Sequence, residues 1–190
     1  MNKYLVFLIA LFFACGQQPS QEAQQPDTST LEESKTPGEL TWQAPAGWIE
    51  ESPTSTMRKA QYRLPKAEAD SEDGSVIIFY FQGQGGSVQA NLERWYSQFA
   101  QPDGRPTRET ADAKTTEVNN LTQTVVDIHG TYLFRPRPMA PTATEKPNTR
   151  MLAVVIETDS GPWFVKFVGP EKTVAKWEDS FRDFLASFRQ

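Results

Sequence analysis

The sole histidine, His129, follows Asp127 by two residues in a segment of strand character, so both side chains project from one strand face. A histidine oriented by a carboxylate could serve a hydrolase, provided a nucleophile stands beside it. Nothing nominates one. No G-x-S-x-G occurs, and the single cysteine, Cys15, is spent on the tether. One histidine also disfavours the common zinc and iron sites. Paired carboxylates for glycoside hydrolysis stay open as a chemistry, but no particular pair stands out. The preferred reading is a surface histidine satisfied by its neighbours, with a hydrolase of carboxylates plus His129 as the alternative.

A second candidate is the junction Gln82-Gly83-Gln84-Gly85-Gly86 between an apolar run and a helical pattern. Glycine amides leading into a helix N-terminus suit an anion. The spacing is not G-x-G-x-x-G, and no Gly-Lys-Ser/Thr follows. Ser87 is a good N-cap, which leaves Gly85 and Gly86 a plain turn role. On the helix, Asn91 lies four residues from Trp95 and three from Arg94. That set could hold a ligand or partner; tying the helix to a loop is the preferred reading. Arg58 shares parity with an apolar strand face, so it sits at the strand's open end or meets a buried carboxylate. The candidate binding set is therefore Arg58, Gly85, Gly86, Asn91, Arg94 and Trp95. No catalytic residue, metal ligand or cofactor is implied. Glu68, Asp70, Glu72 and Asp73 do not fit an EF-hand, because aligning Gly74 to the loop glycine puts Ala69 first and Tyr80 at the closing glutamate position.

Of 190 residues, 24 are acidic and 19 basic, a formal charge of −5 that gives no attraction to nucleic acid. Lys3, the apolar stretch from Leu5 to Phe13 and Ala14-Cys15-Gly16 read as a signal peptide over 1–14, too short to cross a bilayer that needs about 20 apolar residues. Leu11-Phe12-Phe13-Ala14-Cys15 resembles the lipobox of bacterial lipoproteins, although Phe12 replaces the usual leucine. It implies a lipidated Cys15, a membrane anchor, and by Gly16 an outer-membrane address facing the periplasm. Residues 15–39, rich in Gln, Ser and Pro, read as a disordered tether. With one cysteine the chain has no internal disulfide.

The folded part is expected over 40–190. Trp42 and Trp48 flank a strand–turn–strand segment, and Met57–Leu64 alternates. Asp73-Gly74 signals a hairpin turn. Val76–Phe81 reads as a strand covered on both faces. Val88, Leu92, Trp95 and Phe99 then trace a helix. Lys114–Val118 and Thr122–Thr131 form a hairpin through Asn119-Asn120. Residues 135–149, with four prolines, read as an irregular excursion outside any sheet. Met151–Thr158 and Trp163–Val168 are partner strands, and Val174, Trp177, Phe181, Phe184, Leu185 and Phe188 stripe a last helix. The expected class is α+β, a mostly antiparallel sheet between two main helices.

The Trp42, Pro45, Gly47, Trp48 opening, Met57-Arg58, the glycine turn with Asn91 and Arg94-Trp95, and Trp163-Phe164-Val165-Lys166 before an aromatic helix resemble an uncharacterised family of bacterial secreted proteins and lipoproteins. The resemblance implies an α/β/α sandwich similar to that of PsbP, the extrinsic photosystem subunit, and of a Ran-binding nuclear-transport factor. Together these features lead to the expectation of a membrane-tethered, non-catalytic binding or assembly domain in the periplasm, its partner or ligand open. A small-molecule or anion binder is the alternative.

Overall fold

Met151–Ile156 contains no polar residue, so a strand built from it must be covered on both faces. It forms the middle of the long strand Thr144–Glu157, and each of its six side chains is at most 5% exposed. The computed structural model describes residues 39–136 and 142–190. The leader, Cys15 and nearly all of the expected tether lie outside the described residues, as do positions 137–141 of the proline-rich excursion.

In chain order the elements are β1 (Ile49–Glu51), β2 (Arg58–Leu64), β3 (Gly74–Tyr80), α1 (Val88–Tyr96), β4 (Phe99–Ala100), α2 (Thr107–Thr110), β5 (Asp112–Val118), β6 (Leu121–Phe134), β7 (Thr144–Glu157), β8 (Trp163–Pro170) and α3 (Glu171–Ala186). The sheet runs β1-β2-β3-β8-β7-β6-β4, with β5 also on β6, and all these pairings are antiparallel. This is the expected α+β class.

Alternation along the strands assigns the two faces. Val76, Ile78, Val154, Val165 and Phe167 meet the stripe Val174, Phe181, Phe184 and Leu185 of α3. On the other face Val126, Ile128, Ala153, Val155 and Phe164 meet Leu92 and Trp95 of α1. With only nine residues, α1 covers part of its face, whereas the sixteen of α3 cover theirs more fully.

That shortfall changes the reading of β3. Val76–Phe81 was expected to be covered on both faces. Gly74, Val76 and Ile78 are buried toward α3, but Ile77 and Phe79 on the opposite side are only partly covered. The first helix also ends earlier than its apolar spacing suggests: Tyr96 closes α1, and Phe99 pairs with Tyr132 in β4.

Asp73-Gly74 does not make a two-residue hairpin turn. The β2–β3 connection spans 65–73, and Gly74 sits in the strand opposite Leu64. A Cβ there would lie 2.7 Å from the Phe167 ring, so glycine provides the close approach. The excursion expected over 135–149 also needs correcting. Thr144, Glu145 and Lys146 pair with Phe134, Leu133 and Tyr132, extending both strands. Pro147 falls at the register irregularity between Gly130 and Tyr132, where a missing ladder donor is tolerated. The Asn119-Asn120 hairpin is present, with φ of 54° and 61° as a type I′ turn requires.

Candidate functional site

β8 reads Trp163-Phe164-Val165-Lys166-Phe167-Val168, and one charge interrupts an otherwise apolar strand. Parity places Lys166 on the α1 side, directly across from Ile77 of β3 and Ala153 of β7. Its Nζ donates to Gln98 Oε1 at 2.8 Å, just beyond the end of α1, and lies 5.9 Å from the Tyr132 ring centroid. No carboxylate pairs with it among the described residues. Burial first, and then the charge of Arg94, push its pKa from the ordinary 10.5 down to about 8. An ammonium kept among apolar groups without a counter-charge is costly, and such groups concentrate at functional sites.

Lys166 borders a groove of about 820 Å³ on the part of the sheet that α1 leaves open. Ile77 and Phe79 come from β3, Val168 from β8, and Tyr132 and Phe134 from β6. Burial raises the Tyr132 hydroxyl above its usual range. At the rim, Lys146 lies 5.3 Å over the Phe134 ring and is paired with Glu72. Two of the other rim acids are engaged as well. Asp70 accepts from the amide and hydroxyl of Thr173 at 2.7 and 2.6 Å. Asp73 accepts from the Lys66 amide and from Arg63, the amide contact contributing most to holding its carboxyl below the usual range. These contacts give Asp70, Glu72 and Asp73 a stapling role, and no metal-holding cluster occurs among the described residues.

Arg58 is the one sequence-nominated residue that lines this groove. Its parity matched the apolar face of β2, but a register shift between Arg58 and Ala60 turns it to the other side, opposite Phe79. There its guanidinium carbon lies 5.9 Å from the Phe79 centroid, and it donates to Gln61 Oε1, a neutral acceptor. It is the first residue of β2, at the strand's end as one alternative drawn from the sequence has it, but a bulge re-aims it, and its hydrogen-bond partner is an amide and not a buried carboxylate.

The other nominated residues do not converge with it. Gly85 is buried, and a Cβ there would come within 2.3 Å of the Phe164 ring; Gly86 has φ of 79°. Asn91 is 1% exposed and donates to the carbonyls of Gly85 and Ser87 at 2.9 and 2.8 Å. Ser87 Oγ accepts from the Ala90 amide as the cap of α1. Trp95 is buried edge-on to Phe164 at 6.5 Å. These four residues lock the loop to the helix. Arg94 is exposed, acting on Lys166 through its charge.

His129 is on the α3 side, away from the groove. Nδ1 is 3.0 Å from Glu171 and Nε2 is 3.3 Å from Asp127, so carboxylates occupy both ring nitrogens. Asp127 also receives two hydrogen bonds from Arg150, at 2.9 and 2.6 Å, and Arg150 reaches Glu178 of α3 at 2.6 Å. This network clamps α3 to the sheet. The residue that sequence reasoning passed over is Lys166; its signal was a lysine on the same face as Phe164 and Val168.

No protein-family model matches the chain, and a search of curated proteins finds no match. Two solved structures are similar in outline. One is a Pseudomonas aeruginosa protein of unknown function, 9% identical, covering 82% of this chain and 85% of its own, with a TM-score of 0.46. The other is cyanobacterial PsbP from a Synechocystis species, 13% identical, covering 79% and 85%, with a TM-score of 0.45. Likeness at this level assigns the chain no ligand, partner or activity.

Proposed function

We propose that the protein is a membrane-tethered, non-catalytic binding or assembly domain of the cell envelope, and that its PsbP-like head takes its ligand or partner in the groove around Lys166. The observation that carries the binding site is the lone Lys166 ammonium, half enclosed beside aromatic rings and unpaired with any carboxylate among the described residues. The tethering rests on the lipobox-like segment ending at Cys15 and on the polar stretch after it. A tether confines the head near the membrane and raises its effective concentration for anything held there. The outer-membrane, periplasm-facing address belongs to the same proposal.

Two measurements test it. Mass spectrometry of the mature protein should find diacylglyceryl on Cys15 at the N-terminus; an unmodified terminus elsewhere defeats the anchor. Affinity purification of the intact tethered chain should be compared with Ile77→Glu, which sets a carboxylate directly across from Lys166. Loss of the captured ligand or partner supports the groove as the site. Identical capture by both proteins refutes it.

A further inference from the structure

The groove combines three features that together restrict its occupant. Its floor is apolar and aromatic, from Ile77, Phe79 and Tyr132. Three cations of its lining lack an acidic partner among the described residues: Arg58 from β2 and Lys166 from β8, with β3 between them, and Arg135 just past the end of β6. Its rim is acidic, with Asp70, Glu72 and Asp73 held in place by internal bonds. We infer that the ligand of this groove is an amphipathic carboxylate, its head held by Lys166 and Arg58 and its hydrocarbon or aromatic body lying over Phe79, Tyr132 and Phe134. This inference rests on the groove being the binding site proposed above.

The head must be an anion, because an anion supplies the counter-charge that Lys166 lacks inside the protein. It is a monoanion, because the four cations of the lining, Arg58, Arg135, Lys146 and Lys166, are already matched by four acids, Asp70, Glu72, Asp73 and Glu145, which leaves no surplus for a second negative charge. Arg58 presents a planar fork that suits a carboxylate, and Gln61 holds it without neutralising it. The body is apolar, because Phe79, Tyr132 and Phe134 offer little else to a ligand. From β2 across β3, β8 and β7 to β6 the open face spans roughly 20 Å, at about 4.8 Å per strand. That is room for an extended tail.

The test is titration calorimetry of the purified full-length chain with laurate, alongside dodecyltrimethylammonium, dodecyl maltoside and dodecyl phosphate. These probes share a tail and differ in the head; all are used below their micellar concentrations. The inference expects saturable one-to-one laurate binding, with the cationic and neutral heads at least about tenfold weaker. Lys166→Met should lose about tenfold for laurate and leave dodecyl maltoside unchanged, whereas Lys166→Arg should retain most of the affinity. Arg58→Gln should show a smaller loss. Equal binding of all heads, or full laurate affinity in Lys166→Met, overturns the carboxylate assignment. Tighter binding of dodecyl phosphate than of laurate overturns the monoanion. If no probe binds while Ile77→Glu still abolishes partner capture, this inference fails and the groove reading stands. If no probe binds and capture is also unchanged, both fail.

Discussion

Gln98 Oε1 accepts a hydrogen bond from Lys166 Nζ at 2.8 Å, and a side-chain amide is thus the polar partner of an ammonium half enclosed by protein. A neutral acceptor offsets little of what the charge loses on leaving water. The stability of the fold should therefore improve when that charge is removed.

Lys166→Met should raise stability at pH 7 by about 1–3 kcal/mol, measured by urea unfolding. The pH profile provides a sharper check. The folded protein releases the Lys166 proton near pH 8, whereas the unfolded chain holds it to about 10.5. Between those values the unfolded state binds more protons, so wild-type stability rises with pH. Tyr62, Tyr96 and Tyr132, raised mainly by burial, act in the opposite direction only above their ordinary value of 10.0. The difference between wild type and Lys166→Met should therefore shrink from pH 8 to 10. A constant difference would show that the lysine is well solvated.

Gly85→Ala should destabilise by about 1–3 kcal/mol, because the new methyl overlaps the Phe164 ring at 2.3 Å and a buried ring must shift. Adding Phe164→Leu should recover part of that loss in a double-mutant cycle. Strict additivity of the two changes would separate them.

Asn91→Leu leaves the Gly85 and Ser87 carbonyls without their side-chain donor. The cost should be about 1–3 kcal/mol, and proteolysis of the 82–86 loop should become faster. An unchanged cleavage rate would mean the loop holds its shape without this residue.

Arg150→Met removes the cation that joins Asp127 on β6 to Glu178 on α3. Two carboxylates are then left facing a part-buried space, and the expected loss is about 3–5 kcal/mol. Hydrogen bonding to Arg150 chiefly holds the Glu178 carboxyl below its ordinary 4.5. That contribution is present above the usual carboxylate range and fades as pH falls through it. Wild type and Arg150→Met should thus converge in stability on acidification. Divergence toward low pH would contradict the clamp.

Much of the scaffold can be read from residue periodicity. Met151–Ile156 demanded cover on both faces and has it, and the α3 stripe from Val174 to Leu185 packs as its spacing requires, while Phe188 is buried just past the helix end. Asn119-Asn120 fixed a hairpin because asparagine tolerates positive φ. The misplaced elements depend on partners distant in sequence. Whether Ile77 and Phe79 are covered is decided by where α1 ends, and that helix lies beyond a glycine loop. Arg58 changes face through a bulge that no local pattern announces. Pro147 remains in a strand because the irregularity opposite it asks for no donor. Lys166 was visible only as an interruption, and its meaning required knowing that Gln98, not an acid, stands in front of it.

Thr41 and Arg189 exchange backbone hydrogen bonds at 2.8 and 2.9 Å, a bridge joining the beginning of the described head to its end. Force applied to the chain at residue 39 would meet these contacts, with those of the Thr41 hydroxyl to Arg189 and of Gln43 to Ser187, before reaching β1. Peeling from this end would loosen the seam between residues 41–43 and 187–189 before it reached the long ladder of β6 and β7.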